Sequence, residues 1–271
     1  MSPAADNGPA ISVRNLRVSY GEREVLHGIT FDVPAGETMV ILGGSGSGKS
    51  TLLRTLVGLE RATSGEVWIR GTNLATARAR EMDALRRRIG MSFQGGALFG
   101  SMTVGENVAL PLREHTELEE STISIMVRLK LEQVGLAGFE HYMPSQLSGG
   151  MKKRAAVARA MAMDPEILFF DEPSAGLDPI IAAGLDDLIL RLKKAFHMTI
   201  VVVTHELASA NLIADRMVLI DKGHIVALGS RDELQSSTHP RVRQFFDRVP
   251  EAEVANEMDY LQLLTGEGQS P

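Results

Sequence analysis

Residues 38–59 read "TMVILGGSGSGKSTLLRTLVGL": a short apolar run, a glycine-rich loop and a periodic apolar segment in direct succession. Gly43, Gly48, Lys49 and Ser50 fit the spacing G-x-x-x-x-G-K-[ST]. Glycines allow a backbone to wrap close to a triphosphate, so the N–H groups along Gly43, Gly44, Ser45, Gly46, Ser47, Gly48, Lys49, Ser50 and Thr51 are candidate phosphate donors. Lys49 at this spacing reaches the β- and γ-phosphates, and the Ser50 hydroxyl is a Mg²⁺ ligand. Chance would place the pattern in about 1% of chains of this length, before a strand and a helix are also demanded on either side.

Three further runs share the character of "TMVIL": "IGMSF" before Gln94, "EILFF" before Asp171 and "TIVVVT" before His205. Strands apolar on both faces belong in a parallel sheet covered by helices. Ligands of such sheets bind outside the carboxyl ends of the strands, where these four runs end in polar or glycine-rich clusters. Asp171 is placed to hold Mg²⁺ through water, and Glu172 to polarise an attacking water. His205 is a candidate contact to the γ-phosphate, and the Gln94 side-chain carbonyl a ligand of Mg²⁺ or its water. Paired carboxylates at a strand end are ordinarily a solvated turn, and a lone histidine there an ordinary edge residue. The glycine loop on a neighbouring strand reverses that reading.

Elsewhere, residues 11–33 alternate around a glycine turn as an antiparallel hairpin, and "GEVWIRG" (65–71) adds a strand. Between Gly95 and Pro165 the pattern turns helical, with helices expected within 117–136 and over 150–162, so this region reads as a helical insertion into an α/β core. "RMVLIDKGHIVALG" reads as a hairpin turning at Asp221–His224, and the Ser-x-x-Glu of "SRDELQSS" starts a helix at Ser230. Beyond Pro250 the acidic tail is expected to stay loosely structured without a partner.

The 271 residues, 44% apolar and 23% charged, are those of a globular protein. No apolar run nears the roughly 18 residues that cross a bilayer, so no span is expected. The amino-terminal residues lack a secretory pattern and there is no cysteine, which excludes disulfides and thiol chemistry and points to the cytosol. A net charge of −6 argues against a nucleic-acid surface; the basic run "ARAREMDALRRRIG" reads as a solvated helix face.

A second anion site appears in "LSGGM", residues 147–151, where the Ser148 hydroxyl and the N–H groups of Gly149 and Gly150 open a helix. Met151, Ala155, Ala158 and Ala162 share one face of that helix, with Lys152, Lys153 and Arg159 elsewhere. Taken together, these motifs resemble the ATP-binding-cassette (ABC) family over nearly the whole chain to about residue 248. The resemblance implies an α/β P-loop core with a mostly parallel sheet, an antiparallel amino-terminal β subdomain and a helical subdomain over about 95–165. It makes residues 1–248 one ATPase domain and 249–271 a tail. It also implies that Leu147–Met151 binds the γ-phosphate held by a second copy's loop, so that two ATP molecules, each with Mg²⁺, lie between two chains. By the same resemblance Tyr20 stacks on adenine, Gln94 is the Q-loop residue, His205 the switch histidine, and Ser174–Asp178 the D-loop, with Asp178 at the shared site. The family's signature usually ends in Gln; here it ends in Met151, which leaves the backbone donors intact.

"FQGGALFGSMTVGENVALPLREHT" (93–116) and the Met-ended signature are similar to the ATPase subunits of Mla- and Mce-type bacterial lipid transporters. That likeness implies a transmembrane permease dimer, an Mce-domain lipid-binding protein, in some relatives a small STAS-domain regulator, and a place on the cytoplasmic face of the inner membrane. The apolar residues Ala97, Leu98, Phe99, Met102 and Val104 are either core or a surface for a permease helix. The alternatives are the ATPase of an importer for a small polar solute such as an amino acid, and a non-transport cassette acting on DNA or ribosomes. The latter class commonly carries two cassettes, coiled coils or basic arms, and this chain has none.

Overall fold

The computed structural model describes residues 8–249. Its elements run β1 (Ile11–Tyr20), β2 (Arg23–Val33), β3 (Thr38–Leu42), α1 (Lys49–Leu56), β4 (Ser64–Ile69), β5 (Thr72–Asn73), α2 (Ala79–Arg86) and β6 (Ile89–Ser92). The helices α3 (Val104–His115), α4 (Glu120–Gln133) and α5 (Gly149–Ala160) follow, and then β7 (Ile167–Asp171) and α6 (Pro179–Phe196). The remainder is β8 (Thr199–Thr204), α7 (Leu207–Ile213), β9 (Arg216–Asp221), β10 (His224–Ser230), α8 (Arg231–Gln235) and α9 (Pro240–Phe246). The expected acidic tail beyond Pro250 lies outside the described residues.

Two sheets form. The smaller is antiparallel, in the order β2-β1-β4-β5, and contains both the predicted hairpin and the strand at "GEVWIRG". The larger has the order β10-β9-β3-β8-β7-β6; all neighbours are parallel except β10, which turns back on β9 with Asp221 opposite His224. The four apolar runs are β3, β6, β7 and β8, side by side with β8 next to β3 and β7 next to β8.

Of these, β3, β7 and β8 are apolar on both faces because each serves two cores, whereas the edge strand β6 packs Ile89 and Met91 against one of them. Val40 and Leu42 of β3, Leu168 and Phe170 of β7, and Ile200 and Val202 of β8 face the helical side with α3–α7. Their neighbours Met39, Ile41, Ile167, Phe169, Val201 and Val203 face the antiparallel sheet and α1. Successive side chains point to opposite faces, so a strand sandwiched between two layers has no polar register. The interior of each layer is fully excluded from water, with Phe169 and Phe170 among its largest side chains.

The helices between β6 and β7 are closed by local chemistry. Thr103 caps α3: its hydroxyl accepts from the Glu106 N–H at 3.1 Å, and the Glu106 carboxylate accepts from the Thr103 N–H at 2.7 Å. Ser230 and Glu233 make the predicted equivalent at α8, at 3.3 and 2.7 Å. The basic run before β6 forms α2, of which only Leu85 is buried, in keeping with a solvated face.

Candidate functional site

The carboxyl ends of β3, β8, β7 and β6 carry Gly43, His205, Asp171 and Gln94 within a residue or two of the last strand position. The loop after β3 leaves Gly44, Ser45 and Gly46 exposed while Gly43 and Ser47 are buried. A Cβ added at Gly44 or Gly46 would meet nothing within 4 Å, whereas at Gly43 it would lie 2.3 Å from the Ile220 carbonyl oxygen. The loop is therefore seated on β9 at one glycine and open to solvent at the next. The Gly223 N–H donates to the Ser47 carbonyl at 3.0 Å, fastening the far side of the loop to the β9–β10 turn. Gly48 caps α1 at φ 104°, which only glycine adopts freely, and brings the first N–H groups of the helix to the loop.

Lys49 is buried, and its ammonium donates to the carbonyls of Gly43 and Gly44, both at 2.8 Å. Desolvation lowers its pKa, and the carboxylates of Glu172 and Asp171 oppose that shift, so all three groups share one electrostatic neighbourhood. Asp171 is pushed the other way: burial raises its pKa, as does Glu172, against Arg54, Lys153 and Lys49. Its Oδ1 is buried with no hydrogen-bond partner. A carboxylate held at this cost beside the glycine loop, with an unpartnered buried oxygen, has the chemistry of a hard-cation site. Ser50, exposed on the first turn of α1, carries a hydroxyl of the kind a hard cation can take as a ligand.

Glu172 is all but buried and adopts φ 47°, unusual for a side chain of its size. Its N–H donates to the Val203 carbonyl at 2.8 Å. The His205 Nδ1 lies 2.9 Å from Glu172 Oε2, so a protonated Nδ1 donates to the carboxylate. His205 itself is largely exposed, which leaves the pair at the mouth of the site. Gln94 is exposed, and its backbone carbonyl accepts from the Lys153 ammonium.

Ser148 caps α5, accepting from the Met151 N–H at 3.2 Å, and both Ser148 and Gly149 are exposed. The helix start rests on the segment after Glu172: a Cβ at Gly149 would touch Leu177 at 3.6 Å, and at Gly150 would strike Ile181 at 2.5 Å. Asp178 is the cap of α6, its Oδ1 accepting from Ile180 and Ile181 N–H at 3.1 and 3.0 Å. Tyr20 stands exposed at the end of β1, its hydroxyl donating to Glu60 at 3.0 Å. The chain thus brings Gly43–Thr51, Asp171, Glu172 and His205 together, with Ser148–Gly150 set beside the Ser174–Asp178 segment.

Three side chains that support the site were not read from the sequence as such. Lys153 is not on the solvated face of α5 but buried beneath it. Arg159 donates to the Ala97 and Gly96 carbonyls at 2.7 and 3.0 Å, and Ala97 holds φ 47°. Asn107, fully buried in α3, accepts from the Phe99 N–H at 2.8 Å and donates to the carbonyls of Phe99, Met102 and Thr103. A polar residue at a helix position of apolar phase is the only sequence signal of that role. The apolar residues after Gln94 divide: Val104 is buried, Leu98 packs partly on the core, and Phe99 is 51% exposed.

Comparison with known proteins places this arrangement. A family model described as "ABC transporter" matches residues 26–175, from β2 through the strand-end carboxylates to the turn that follows. The chain belongs to the ABC transporter family. Among its relatives, the Mycobacterium leprae "Probable ribonucleotide transport ATP-binding protein mkl" is 44% identical over 240 residues, covering 89% of this chain and 69% of that protein. The Escherichia coli K12 "Intermembrane phospholipid transport system ATP-binding protein MlaF" is 42% identical over 244 residues, covering 90% of this chain and 91% of that protein. Among solved structures, the dimeric post-hydrolysis state of the ATP-binding cassette MJ0796 bound to ADP and Pi superposes with a TM-score of 0.75. It is 30% identical and covers 82% of this chain and 98% of that one. The α/β cassette fold read from the sequence, with its antiparallel amino-terminal sheet and its parallel core, is that of the ABC transporter family.

Proposed function

We propose that this chain is the ATP-hydrolysing subunit of a transporter that moves phospholipid across the bacterial envelope. The observation that carries the cargo is the near end-to-end likeness to MlaF, 42% identical with 90% of one chain and 91% of the other aligned. The mkl relative bears a different transport name and extends well beyond the matched region.

In this reading the N–H groups along Gly43–Thr51 and the Lys49 ammonium hold the phosphates, and Tyr20 stacks on adenine. Lys49 exchanges its two loop carbonyls for phosphate oxygens. Ser50, Asp171 and Gln94 hold Mg²⁺, which when bound neutralises charge on the transferring phosphoryl group. Glu172 accepts the proton of the attacking water, and His205 keeps the Glu172 carboxylate aimed while reaching the γ-phosphate. Lys49, Glu172 and His205 are therefore the catalytic set. Ser148, Gly149, Gly150 and Asp178 complete the site of a second copy, which is why two phosphate loops occur in one chain. The complex holds two such chains, a permease dimer at the inner membrane and an Mce-domain protein, with a STAS-domain regulator as in some relatives. Phe99 and its neighbours meet the permease.

Among the described residues no helix is long and apolar enough to cross a membrane; in this reading the permease provides the membrane passage. Purification of the chain from its native membrane in mild detergent, with mass spectrometry of bound proteins and lipids, tests the reading. A permease with an Mce-domain protein and enriched phospholipid is expected. Recovery of a solute-importer permease, or of ribonucleotide, would leave the ATPase and remove the lipid cargo.

A further inference from the structure

Helix α5 presents Lys153, Ala156 and Ala160 at i, i+3 and i+7, one face of the helix. That face lies on β6 and the loop leaving it. A Cβ at Gly90 would be 2.2 Å from the Ala160 carbonyl oxygen, and one at Gly96 would be 3.6 Å from the Ala156 Cβ. Lys153, at the loop end of the face, is 8% exposed. Its ammonium donates to the carbonyl of Gln94 and, at 3.2 Å, to the carbonyl of Glu172.

An ammonium taken out of water needs compensation, and the two carbonyls provide it as charge-assisted acceptors. The Asp171 and Glu172 carboxylates nearby favour its charged form against the effect of burial. Both acceptors are main-chain atoms, so Lys153 does not compete with either side chain for nucleotide, metal or water. At Glu172 the consequence is sharper. A residue at φ 47° is held there only by its surroundings. The N–H of Glu172 is fixed to Val203, and Lys153 fixes its carbonyl.

We propose that Lys153 is a positioning residue that ties the helix opening at Ser148 to Gln94 and Glu172 at once. A shift of α5 when its start meets nucleotide is then passed to the sensing glutamine and to the water-polarising carboxylate by a single side chain. Lys153 touches neither substrate nor metal; it acts through the backbone of two residues that do. The inference rests on the roles given above to Gln94 and Glu172.

The test is steady-state hydrolysis by the purified full-length chain carrying Lys153→Met, which keeps the stem and removes the donors, beside Glu172→Gln. Lys153→Met is expected to lower kcat by about 10-fold or more with KM for ATP within about twofold, because it disturbs alignment and not binding. Amide hydrogen exchange should rise in residues 93–97 and 172–175 and stay level in α6. A folded Lys153→Met with wild-type kcat, or one that raises KM alone, overturns the proposal. Should Lys153→Met not fold, Lys153→Gln, which retains one donor group at shorter reach, is measured for the same split: a lowered kcat at steady KM sustains the proposal, and a wild-type kcat overturns it. Glu172→Gln separates the two layers of argument: if it hydrolyses normally, the role of Glu172 falls. If it is inactive while Lys153→Met is normal, only the role of Lys153 falls.

Discussion

Replacing Gly43 by alanine tests how tightly the phosphate loop is seated. A Cβ at that position lies 2.3 Å from the Ile220 carbonyl oxygen and 2.6 Å from Ser47 Oγ. Carbon and oxygen approach to about 3.3 Å at best, so the loop and β9 must part by about 1 Å. The serine can rotate; the Ile220 carbonyl is main chain of a buried strand and cannot. Overpacking of this kind costs about 1–3 kcal/mol. For a domain of this size that is a fall in Tm of about 2–12 °C. The same displacement carries the Gly43 carbonyl to which Lys49 is bonded, and misplacement by about 1 Å costs about 100-fold in rate. Thermal melting by circular dichroism and hydrolysis at saturating Mg²⁺-ATP read the two effects. Gly44→Ala is the stability control: its Cβ meets nothing within 4 Å and its φ is outside the left-handed region, so Tm should move by less than about 2 °C. Equal destabilisation by the two substitutions would refute the close-packing argument, as would a wild-type Tm and rate for Gly43→Ala.

Four further outcomes are expected. Glu172→Gln slows hydrolysis by about 100-fold or more with ATP binding retained, and near-normal turnover would remove Glu172 from its role. Burial raises the Asp171 pKa, so between its unfolded value and the higher folded one the native chain holds the extra proton, and stability falls as pH rises through that window. Asp171→Asn should therefore raise the Tm of the nucleotide-free chain at neutral pH, a gain that disappears at acid pH, while Mg²⁺-dependent hydrolysis collapses; a Tm gain that persists unchanged in acid would contradict the electrostatic cause. Lys49→Ala and Ser148→Arg chains, each inactive alone, should recover about one active site per heterodimer when mixed, and assembled heterodimers without activity would rule out sites shared between chains. Asn107→Ala strands the Phe99 N–H and the Met102 carbonyl, while the Thr103 and Phe99 carbonyls keep the backbone N–H groups of residues 107 and 102, and should cost about 2 kcal/mol, whereas Phe99→Ala should stay within about 0.5 kcal/mol and weaken permease capture; a reversed order would show Phe99 to be core.

The parts of this molecule legible in the sequence are those in which one local rule acts alone. The runs ending at Gly43, Gln94, Asp171 and His205 read as buried parallel strands because burial on both faces leaves no alternation, and the two cores divide β3, β7 and β8 residue by residue as that rule requires, while β6 at the edge serves one core. Ser230 and Glu233 announced a helix start because a cap is a contact between neighbours. Lys153 was illegible for the opposite reason. In "GGMKKRAAVARA" nothing distinguishes it from Lys152, and its phase faces a loop that lies about sixty residues earlier in the chain. Asn107 likewise has a helix position typical of the core and partners that only the folded loop supplies. Phe99 and Val104 are equally apolar, yet one is half exposed and the other has no exposure at all; hydrophobicity identifies the cluster, and only the path of the chain divides it.

The left-handed backbone at Glu172 also bears on how this chain responds to artificial selection. Glycine or asparagine would occupy that conformation more comfortably, and a neutral amide at Asp171 would shed the burden of a buried charge. A library screened only for survival after heating should thus enrich substitutions at adjacent positions 171 and 172 and return sturdy, inert proteins. Anyone engineering a heat-resistant form would do well to freeze both codons before the first round.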